Sequence, residues 1–311
     1  MDFSPTSSKV LVIGSVNMDT LLYIDSFQAA NSTISAKDTI ILPGGKGLNL
    51  ARCLRSLGTR LEFIAAVGED AESEALRRLL GEGEADLQGG FVVKKDQPTG
   101  SALILVNAVG ENEIVVSPGA NRALGFEDVP DSAFSDATIL VMCLETSIDL
   151  ALKCFQRMKE LKGLTVLNVS PSGRIDPLLV ELSDFIILNK TELSDLRTQL
   201  KVPDGSPIPL RANQTLVLTK GKEGVEIHTS ASQTPLHFPS FKAPSVVDTT
   251  GAGDSFLAGF ISELIKSKGE VKRAVEFGQK TAAYKIAFKG ACIPPTSYAY
   301  IDALSLDKGT L

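Results

Sequence analysis

Short runs of hydrophobic residues alternate along the chain with segments in which hydrophobic residues recur at helical spacing. Val10 to Ile13 form a continuous apolar run that ends at Gly14-Ser15, a pattern typical of a buried parallel strand. Similar runs lie at 61–67, 138–142, 165–168, 185–188 and 215–218, with helical patterns near 72–80, 149–161 and after 193. Repeated strand–helix alternation predicts an α/β fold, a doubly wound and mostly parallel sheet flanked by helices.

Two separated segments interrupt this alternation. Residues 20–41 contain short alternating or mixed apolar stretches without a helical repeat, and two predicted strands at 100–106 and 113–116 are joined by a hairpin signal. We interpret residues 20–41 as a small antiparallel β element, and the two segments together as one small β excursion from the α/β domain, a lid. The chain then divides into an α/β domain of residues 1–17, 43–97 and 118–311, which starts with a loose polar tail, and a β lid of residues 18–42 and 98–117.

The most informative stretch is Asp248-Thr249-Thr250-Gly251-Ala252-Gly253-Asp254, which leads into an apolar helical pattern over 256–265. A helix start exposes unpaired N–H groups and the positive end of a dipole, and small residues let an anion approach the backbone. Asp254 adds a carboxylate that is placed to take a proton from a hydroxyl while the amides hold developing negative charge. The alternative interpretation is an ordinary helix N-terminus with an acidic first turn.

A second glycine-rich stretch, Gly44-Gly45-Lys46-Gly47-Leu48-Asn49, precedes a predicted helix that ends at Gly58. Its glycines allow a ligand to approach the backbone closely, although the spacing is not that of a Walker A loop. A flexible turn is the alternative interpretation of this stretch.

Polar side chains follow the ends of several predicted strands. They are Asn17 and Asp19, then Glu145, Asn168, Asn189 with Glu192, and Thr219-Lys220-Gly221. The carboxyl ends of parallel strands meet at one edge of a sheet, so these residues predict a ligand crevice. Asn17 and Asp19 alone are also explained by turn formation, which favours Asn and Asp.

Composition and charge narrow the function classes. Lys plus Arg number 31 against 37 Asp plus Glu, which gives a net charge of −6 and a pI near 5.2. This acidic balance, without a basic block, argues against nucleic acid as a partner. Four cysteines without CxxC spacing, the lack of a signal-peptide pattern and the lack of an apolar run of about 18 residues predict a cytoplasmic protein, or a nuclear one in a eukaryote, without a membrane partner.

Histidine is scarce in this chain. His228 and His237 are the two histidines, too few for a His-rich metal site. We therefore expect catalysis to depend on carboxylates, lysine, backbone amides and a metal that arrives with the substrate.

Together, the two glycine motifs resemble the two signatures of the ribokinase-like sugar kinases. The first is Gly44 to Ala51, followed by Gly58 and Gly68, and the second is Asp248 to Asp254, followed by Ala258-Gly259. They lie in the family's order and about 200 residues apart. Shorter segments that are also similar to this family are Gly14 to Asp19, Gly110 to Asn112, Gly119 to Asn121, Leu144-Glu145, Asn189 to Glu192 and Thr219 to Gly221. The resemblance covers the chain from about residue 10 to 296.

The resemblance implies a phosphotransferase that moves the γ-phosphoryl group of ATP to the primary 5-hydroxyl of D-ribose. By this resemblance, Asp254 is the base, and the amides of Gly251, Ala252 and Gly253 form the anion hole. The positions that match the family's ribose contacts are Asn17, Asp19, Gly45, Lys46, Asn49 and Glu145, together with Asp254. On the nucleotide side, the matching positions are Asn189, Thr219, Gly221 and Gly224, with Gln279 near the adenine and Glu192 tied to magnesium and phosphate.

Two cofactors and a homodimer also follow from the resemblance. Mg²⁺ accompanies ATP, and this branch of the family uses a potassium ion beside the anion hole. The potassium ligands map onto Asp248, Thr250 and backbone carbonyls around Lys285, Phe288 and Gly290. In relatives the lid forms the dimer contact, so a homodimer through the β lid is expected here.

The chain departs from the family pattern at three places. Residues 29–33 replace the Pro-Gly-Glu run that is usual before the second lid strand. Residues 290–296 replace a Ser-containing loop beside the potassium site, so a hydroxyl ligand there has to come from Thr296 or Ser297. Gln279 stands where relatives often present His or Asn, which leaves base recognition open.

Two other functions are compatible with these motifs. A kinase for another sugar or for a nucleoside shares the fold, although the lid has few aromatic residues beyond Tyr23 and Phe27 to hold a base. A non-catalytic sugar or nucleotide sensor would share it too, and the intact Asp254 argues against that alternative.

Overall fold

The computed structural model describes residues 8–28, 31–109, 111–203, 205–294 and 296–304. The predicted tail over residues 1–7, the first two residues of the 29–33 departure, Gly110 of the predicted hairpin turn and Pro295 lie outside these ranges. Within them, no helix is long and apolar enough to cross a membrane.

The described chain forms thirteen strands in two sheets. They are β1 (Val10–Ile13), β2 (Asn17–Tyr23), β3 (Asp38–Gly44), β4 (Leu61–Gly68), β5 (Phe91–Lys94), β6 (Gly100–Val106), β7 (Asn112–Ser117), β8 (Ile139–Cys143), β9 (Leu164–Asn168), β10 (Phe185–Asn189), β11 (Thr215–Thr219), β12 (Val225–Thr229) and β13 (Ser232–Phe238). The large sheet has the order β13-β12-β11-β10-β9-β8-β1-β4-β5. Its strands from β11 to β5 pair in parallel, and β12 and β13 extend it in antiparallel pairs.

Helices cover both faces of the large sheet. In the described ranges they are α1 (Lys46–Ser56), α2 (Ala71–Leu80), α3 (Ala85–Gln88), α4 (Ala120–Ala123), α5 (Asp131–Ser135), α6 (Ile148–Glu160), α7 (Pro177–Leu182), α8 (Lys190–Leu200), α9 (Ala252–Lys266), α10 (Val271–Lys285) and α11 (Tyr298–Ala303). Residues of α1, α2, α3, α9, α10 and α11 join one hydrophobic core, and those of α4 to α8 join the other. The predicted doubly wound α/β fold is confirmed.

Strand β1 shows why the core strands have continuous apolar runs. Val10 and Val12 belong to the core on one face of the sheet, whereas Leu11 and Ile13 belong to the core on the other. Successive side chains of a strand point to opposite faces, so a strand covered by helices on both sides needs apolar residues at every position.

The second sheet has four strands in the order β3-β2-β6-β7 and spans residues 17–44 and 100–117. The pairs β2–β3 and β6–β7 are antiparallel, but the central pair β2–β6 is parallel. The antiparallel element predicted over residues 20–41 and the hairpin predicted over 100–116 are therefore confirmed, whereas the sequence analysis made no prediction for the pairing between them. Turn signals report each local hairpin, whereas a parallel pair needs a long crossover, and its direction depends on how two distant segments meet.

Candidate active site

The loop 248–251 leads into α9, and Asp254 lies in the first turn of that helix. Gly251 caps the helix with a φ of 70°, in the left-handed region that favours glycine. A Cβ at Gly251 would lie 1.8 Å from the carbonyl oxygen of Ala291, so the loop packs too closely there for any side chain. The glycine at this position is therefore required both by backbone conformation and by packing.

The three amides predicted as an anion hole lie at the start of α9. The N–H of Ala252 donates to the Thr249 carbonyl at 3.2 Å, so this amide is bonded within its own loop. Apart from its chain neighbours and the backbone of its own helix, Gly253 has no described atom within 4 Å of the place a Cβ would take. Because a helix N-terminus concentrates N–H groups and positive partial charge, the start of α9 has the charge and the space to accept a phosphate group.

A side-chain hydrogen bond joins the two glycine motifs. Asn49 Nδ2 donates to Asp254 Oδ2 at 3.4 Å across 205 sequence positions, and the two residues are 7 % and 6 % exposed. Farther along the two helices, the side chains of Cys53 in α1 and Ser255 in α9 approach to 3.6 Å. The packing of α1 against α9 thus makes the two motifs parts of one site.

Glu145 fixes the first motif against the end of β1. Its Oε2 accepts a hydrogen bond from the Lys46 N–H at 2.9 Å and another from the Ser15 hydroxyl. The Ser15 Oγ in turn accepts a hydrogen bond from the Gly47 N–H at 3.3 Å. The Gly-Gly-Lys-Gly stretch is therefore a tethered segment, which disfavours the flexible-turn alternative. Sequence reasoning gave Ser15 no role in the site, and the available signal was its place directly after β1.

Asn121 is a second site residue to which the sequence analysis assigned no role. Its Nδ2 donates to Asn17 Oδ1 at 2.8 Å and to the Val16 carbonyl at 3.1 Å, and its Oδ1 accepts from the Val16 N–H at 2.9 Å. Asn121 is 1 % exposed, and these bonds orient Asn17 at the start of β2. The signal that was available is its place in the family-like segment Gly119 to Asn121.

The side chain of Asp19 is half-buried, and its buried oxygen Oδ1 is unsatisfied. Among the described residues, no hydrogen-bond partner reaches its Oδ1. Burial, and then the negative charge of Glu145, raises the pKa of Asp19 to about 7. A Cβ at Gly44 would lie 1.8 Å from Asp19 Oδ2, so glycine at this position makes room for the carboxylate. An unsatisfied buried oxygen beside a cavity is suited to accept a hydrogen bond from a ligand hydroxyl.

Lys46 lies in the field of three carboxylates. The charge of Asp254 is the largest cause that raises the pKa of Lys46, and Glu145 and Glu192 act in the same direction against the effect of burial. Burial also raises the pKa of Glu192, which is 6 % exposed. The positive charge of Lys46 offsets part of the negative field that a phosphate would otherwise meet here.

Residues predicted to bind the nucleotide lie at the carboxyl ends of β10 and β11, where Asn189 and Thr219 are register partners. Asn189 Oδ1 accepts from the Glu192 N–H at 3.0 Å, and Glu192 Oε2 accepts from the Asn189 N–H at 2.7 Å. This reciprocal pair is a capping box at the start of α8, and it explains both residue types by helix capping alone. A role of these residues in nucleotide binding stays a prediction.

Gly221, Gly224 and Gln279 lie near the end of β13. Gly221 and Gly224 have φ values of 58° and 91°, and a Cβ at Gly224 would lie 2.0 Å from the Phe238 carbonyl oxygen. Gln279 Nε2 donates to the Pro239 carbonyl at 3.2 Å, and its Oε1 is buried without a partner among the described residues. The turn 221–224 and Gln279 thus approach the same short stretch of chain.

The residues predicted as potassium ligands form a dense hydrogen-bonded cluster. Asp248 Oδ1 accepts from the Thr250 N–H at 2.9 Å, and Oδ2 accepts from the Gly290 N–H at 2.8 Å. Although burial is the largest single influence and acts in the opposite direction, these bonds lower the pKa of Asp248. The Lys285 carbonyl accepts from the Phe288 N–H at 3.0 Å. Several of the residues predicted as potassium ligands are therefore already hydrogen-bonded to one another.

The side chain of Lys285 belongs to the same cluster. Its Nζ donates to the Asp248 carbonyl at 2.8 Å, and the side chain is 0 % exposed. Burial lowers the pKa of Lys285, while the charges of Asp248 and, more weakly, Asp254 oppose this change. The resemblance predicted a role for the Lys285 backbone only, so the ammonium is a component that the sequence analysis missed.

A cavity of about 1530 Å³ lies between the first glycine motif, the loop 248–251 and the second sheet. The predicted site residues that line it are Asn17, Asp19, Gly45, Lys46, Asn49, Glu145, Glu192, Asp248, Thr250, Gly251, Asp254 and Gly290. Leu21, Ile104 and Ile114, which are register neighbours on one face of the second sheet, form its apolar wall. Of the nucleotide residues predicted in the described ranges, Glu192 alone lines this cavity.

Comparisons with known proteins show which family the chain resembles over nearly its whole length. A family model described as pfkB family carbohydrate kinase matches residues 7–297. A ribokinase of Staphylococcus aureus (strain COL) is 30 % identical over 296 residues, covering 92 % of this chain and 95 % of that protein. An ATP-dependent ribose-1-phosphate kinase of Halopiger xanaduensis is 29 % identical over 301 residues, covering 96 % of this chain and 98 % of that protein. The crystal structure of a Thermotoga maritima ribokinase superposes with a TM-score of 0.80 at 27 % identity, covering 95 % of this chain and 98 % of that chain. The chain belongs to the pfkB family of carbohydrate kinases.

Proposed function

We propose that this protein transfers the γ-phosphoryl group of ATP to the 5-hydroxyl of D-ribose. The hydrogen bond between Asn49 and Asp254 carries the proposal, because it puts a predicted sugar contact beside the predicted base at a helix N-terminus. Relatives named ribokinase, which match nearly the whole chain, support ribose as the acceptor. The intact carboxylate of Asp254 argues for a working enzyme rather than a sensor.

In the proposed reaction, Asp254 accepts the proton of the 5-hydroxyl as that oxygen attacks the γ-phosphorus. The bond between the γ-phosphorus and the β,γ-bridging oxygen breaks, and ADP leaves with that electron pair. Phosphoryl transfer depends mainly on positioning and charge stabilisation rather than on a strong base. The start of α9 supplies that stabilisation through the N–H groups and the dipole of the helix, with Gly253 the most open of the three predicted positions.

The sugar is proposed to lie between the end of β1 and the second sheet. Asp19 Oδ1 lacks a partner among the described residues. A sugar hydroxyl that donates to it would remove the cost of an unsatisfied buried acceptor, which is about 1–3 kcal/mol. Asn17 is oriented by Asn121, and Lys46 and Glu145 are fixed through the bond between the Lys46 N–H and Glu145. Preoriented polar groups of this kind suit a small polyhydroxylated ligand.

The nucleotide is proposed to bind along Asn189, Thr219, Gly221 and Gly224, with Gln279 near the base. ATP-dependent phosphoryl transfer generally uses a magnesium ion, which neutralises phosphate charge. The described residues contain no group of three or more carboxylate, histidine or cysteine side chains that would hold a metal by themselves. Glu192, a lone buried carboxylate at the cavity, fits a magnesium ion that the nucleotide brings with it.

Potassium, which the family resemblance implies, does not fit its predicted ligands here. The Asp248 carbonyl accepts the Lys285 ammonium at 2.8 Å, which puts a positive charge among the predicted ligands. A second cation at this carbonyl would meet a positive charge at hydrogen-bond distance, with little screening by solvent. The proposed reaction therefore includes no potassium.

The second sheet is proposed to act as the lid. Its face toward the cavity carries Leu21, Ile104, Ile114 and Val116, which would exclude water from the reacting atoms. Exclusion of water protects the phosphoryl group from hydrolysis and strengthens the local electrostatic interactions.

The assembly and the compartment are also part of the proposal. On the outer face of the second sheet, one cross-strand row holds three exposed apolar side chains, Ile41, Leu103 and Val115, which are 52 %, 41 % and 68 % exposed. Thr20 lies between Ile41 and Leu103 in this row. An apolar row of this kind supports a homodimer through the lid. All four cysteines are free thiols, which supports a reduced compartment such as the cytoplasm.

A substrate panel tests the proposed reaction. ADP release is measured with ribose, 2-deoxyribose, fructose, ribose 1-phosphate, adenosine and pseudouridine at saturating ATP. We expect the highest kcat/KM for ribose and a product that carries phosphate on its 5-oxygen. A clear preference for a nucleoside or for another sugar would overturn the assignment of ribose, and no turnover on any acceptor would favour the sensor.

A further inference from the structure

The side chain of Lys285 lies buried against the loop that starts α9. It is 0 % exposed, and its Nζ donates to the Asp248 carbonyl at 2.8 Å. A lysine in the last turn of a helix is common because its charge stabilises the helix C-terminus, but such lysines are normally exposed. Lys285 ends α10, yet its ammonium bonds to a carbonyl of a different segment. The burial and the partner require an explanation other than helix capping.

The segment that Lys285 holds is bonded to the chain around the end of α10 at several points. The N–H groups of Val247 and Asp248 donate to the Ile286 carbonyl at 2.7 and 3.1 Å, and the Gly290 N–H donates to Asp248 Oδ2 at 2.8 Å. The chain then runs directly into the start of α9. A displacement of Asp248 would therefore move the amides that are proposed to hold the phosphate.

The ammonium also acts electrostatically on the reacting centre. Asp248 and Asp254 both interact with Lys285 through their charges. The ammonium is thus a buried positive charge beside the start of α9, where it adds to the positive end of the helix dipole. A charge without solvent contact is screened little by salt, so its influence on a nearby phosphate is strong.

We propose that the Lys285 ammonium is a built-in monovalent cation, a positioning residue that holds the Asp248 carbonyl and the start of α9 for phosphoryl transfer. An alkali ion bound to the same carbonyl oxygen would be repelled by the ammonium. The protein therefore needs no potassium for turnover, in contrast to the expectation from the family resemblance. This inference rests on the proposed kinase function.

Steady-state kinetics in three salts test the proposal on the intact protein. Turnover of ribose is measured in tetramethylammonium, sodium and potassium chloride at equal ionic strength. We expect the wild-type kcat to agree within about twofold in all three salts, because the chain itself supplies the cation. Screening of exposed surface charges would change kcat equally in each salt, since the ionic strength is the same.

Substitutions at Lys285 separate its charge from its packing. Lys285→Ala should lose at least about tenfold in kcat in tetramethylammonium chloride and regain activity in potassium or ammonium chloride, because it removes the ammonium and leaves space for an ion. Lys285→Met should lose activity without rescue, because its side chain fills that space. Lys272→Met, an exposed lysine of the same helix, is the matched control and should keep wild-type kcat in every salt.

Thermal unfolding gives a second measurement that does not depend on the substrate. Replacing tetramethylammonium by potassium should raise the midpoint of Lys285→Ala by several degrees, because an ion that binds only the folded state stabilises it. The wild-type midpoint should change by less than about 1 °C. The wild-type comparison stands even where Lys285→Met fails to fold.

Three results would overturn the proposal. The first is activation of the wild-type protein by potassium of about tenfold or more. The second is a kcat of Lys285→Ala in tetramethylammonium chloride that equals the wild-type value. The third is a loss of kcat in Lys285→Ala that no added cation restores, which would indicate a packing role. Absence of turnover on ribose in every salt would refute the substrate instead, and the unfolding comparison would still decide whether the ammonium replaces an ion.

Discussion

Asp254 occupies a position in which several physical effects coincide. It lies in the first turn of α9, is 6 % exposed and accepts a hydrogen bond from Asn49. The positive end of the helix dipole and the nearby Lys46 stabilise its negative charge, while the cavity gives a substrate hydroxyl access to it. If Asp254 serves as the base and contributes little to sugar affinity, its substitution should lower kcat and leave the KM for the sugar nearly unchanged.

We predict that Asp254→Asn lowers kcat by about 10²- to 10⁴-fold, because the amide cannot accept the hydroxyl proton. The KM for ribose should change by no more than a few-fold, since asparagine keeps the size of the side chain and one oxygen that can accept the hydrogen bond from Asn49. Steady-state kinetics with ribose and ATP measure both constants. Asp96→Asn, at an exposed position, serves as the control, and a kcat for Asp254→Asn near the wild-type value would remove Asp254 from the role of base.

Asp19 gives a prediction about pH. Its pKa in the folded protein is about 7, against an ordinary value of 3.8, so the folded state holds a proton that the unfolded state has already lost. The ligand-free protein therefore loses stability from this group as pH rises from about 4 to about 7, and the loss is complete above that range. A sugar hydroxyl that donates to Asp19 favours the carboxylate form, so ribose affinity should increase by about tenfold from pH 6 to pH 8.

Calorimetric titration with ribose between pH 5.5 and pH 8.5 measures this dependence, and urea unfolding of the ligand-free protein measures the stability. Asp19→Asn removes the titrating group, so its ribose affinity should be lower and should not vary with pH near 7. The same ribose affinity at pH 6 and pH 8 in the wild type would show that the sugar does not engage the Asp19 carboxylate.

Among the single elements, helix α9 starts at a glycine that is required both by its own backbone conformation and by packing against a distant segment. Gly251 has a φ of 70°, and its Cβ position is taken by the Ala291 carbonyl oxygen at 1.8 Å. Gly58, at the end of α1, has a similar φ of 73° but no described atom within 4 Å of its Cβ position. The two residues therefore separate the cost of the backbone conformation from the cost of the close approach.

We predict that Gly58→Ala lowers the free energy of unfolding by about 1–2 kcal/mol, the cost of a left-handed alanine. Gly251→Ala carries that cost and a steric clash, so its loss should exceed about 3 kcal/mol and should include loss of turnover, because the amides of the loop are displaced. Urea unfolding measures both variants. Equal losses for the two would mean that the loop moves aside freely, which would contradict a fixed phosphate site.

Helix α8 shows how one motif serves structure and presumed function together. Asn189 and Glu192 form a reciprocal capping box, so their presence is explained before any nucleotide is considered. Glu192 also lines the cavity, and its burial raises its pKa. Motif resemblance alone does not distinguish these two reasons for the same residues.

At the scale of the whole molecule, the outer face of the second sheet bears on assembly. We predict that the protein is a dimer at micromolar concentration and that Val115→Glu makes it monomeric, because a charge in the apolar row opposes burial against a second copy. Sedimentation velocity measures both states. Leu178→Glu, an exposed leucine of α7 outside the lid, is the control and should stay dimeric, and a monomeric wild type over the same concentrations would contradict the lid as the contact.

The α/β fold was predictable from the sequence because it follows from local patterns of hydrophobic residues. Continuous apolar runs such as Val10 to Ile13 report burial on both faces of a strand, and helical spacing reports one buried face of a helix. The two glycine motifs were also visible, because positive φ values and close approaches at Gly45 and Gly251 restrict the residue type at single positions. Local patterns in the sequence are therefore enough to predict the layers of the fold and the positions of its main loops.

The contacts between residues that are distant in sequence became visible in the folded chain alone. Three contacts join segments that lie far apart in the sequence. They are the hydrogen bond from Asn49 to Asp254, the orientation of Asn17 by Asn121 and the parallel pairing of β2 with β6. The burial of the Lys285 ammonium against Asp248 belongs to the same class, since a lysine at the end of a helix has no local reason to be buried. Local periodicity depends on neighbours along the chain, whereas these contacts depend on the path of the whole chain, and that path is set by packing.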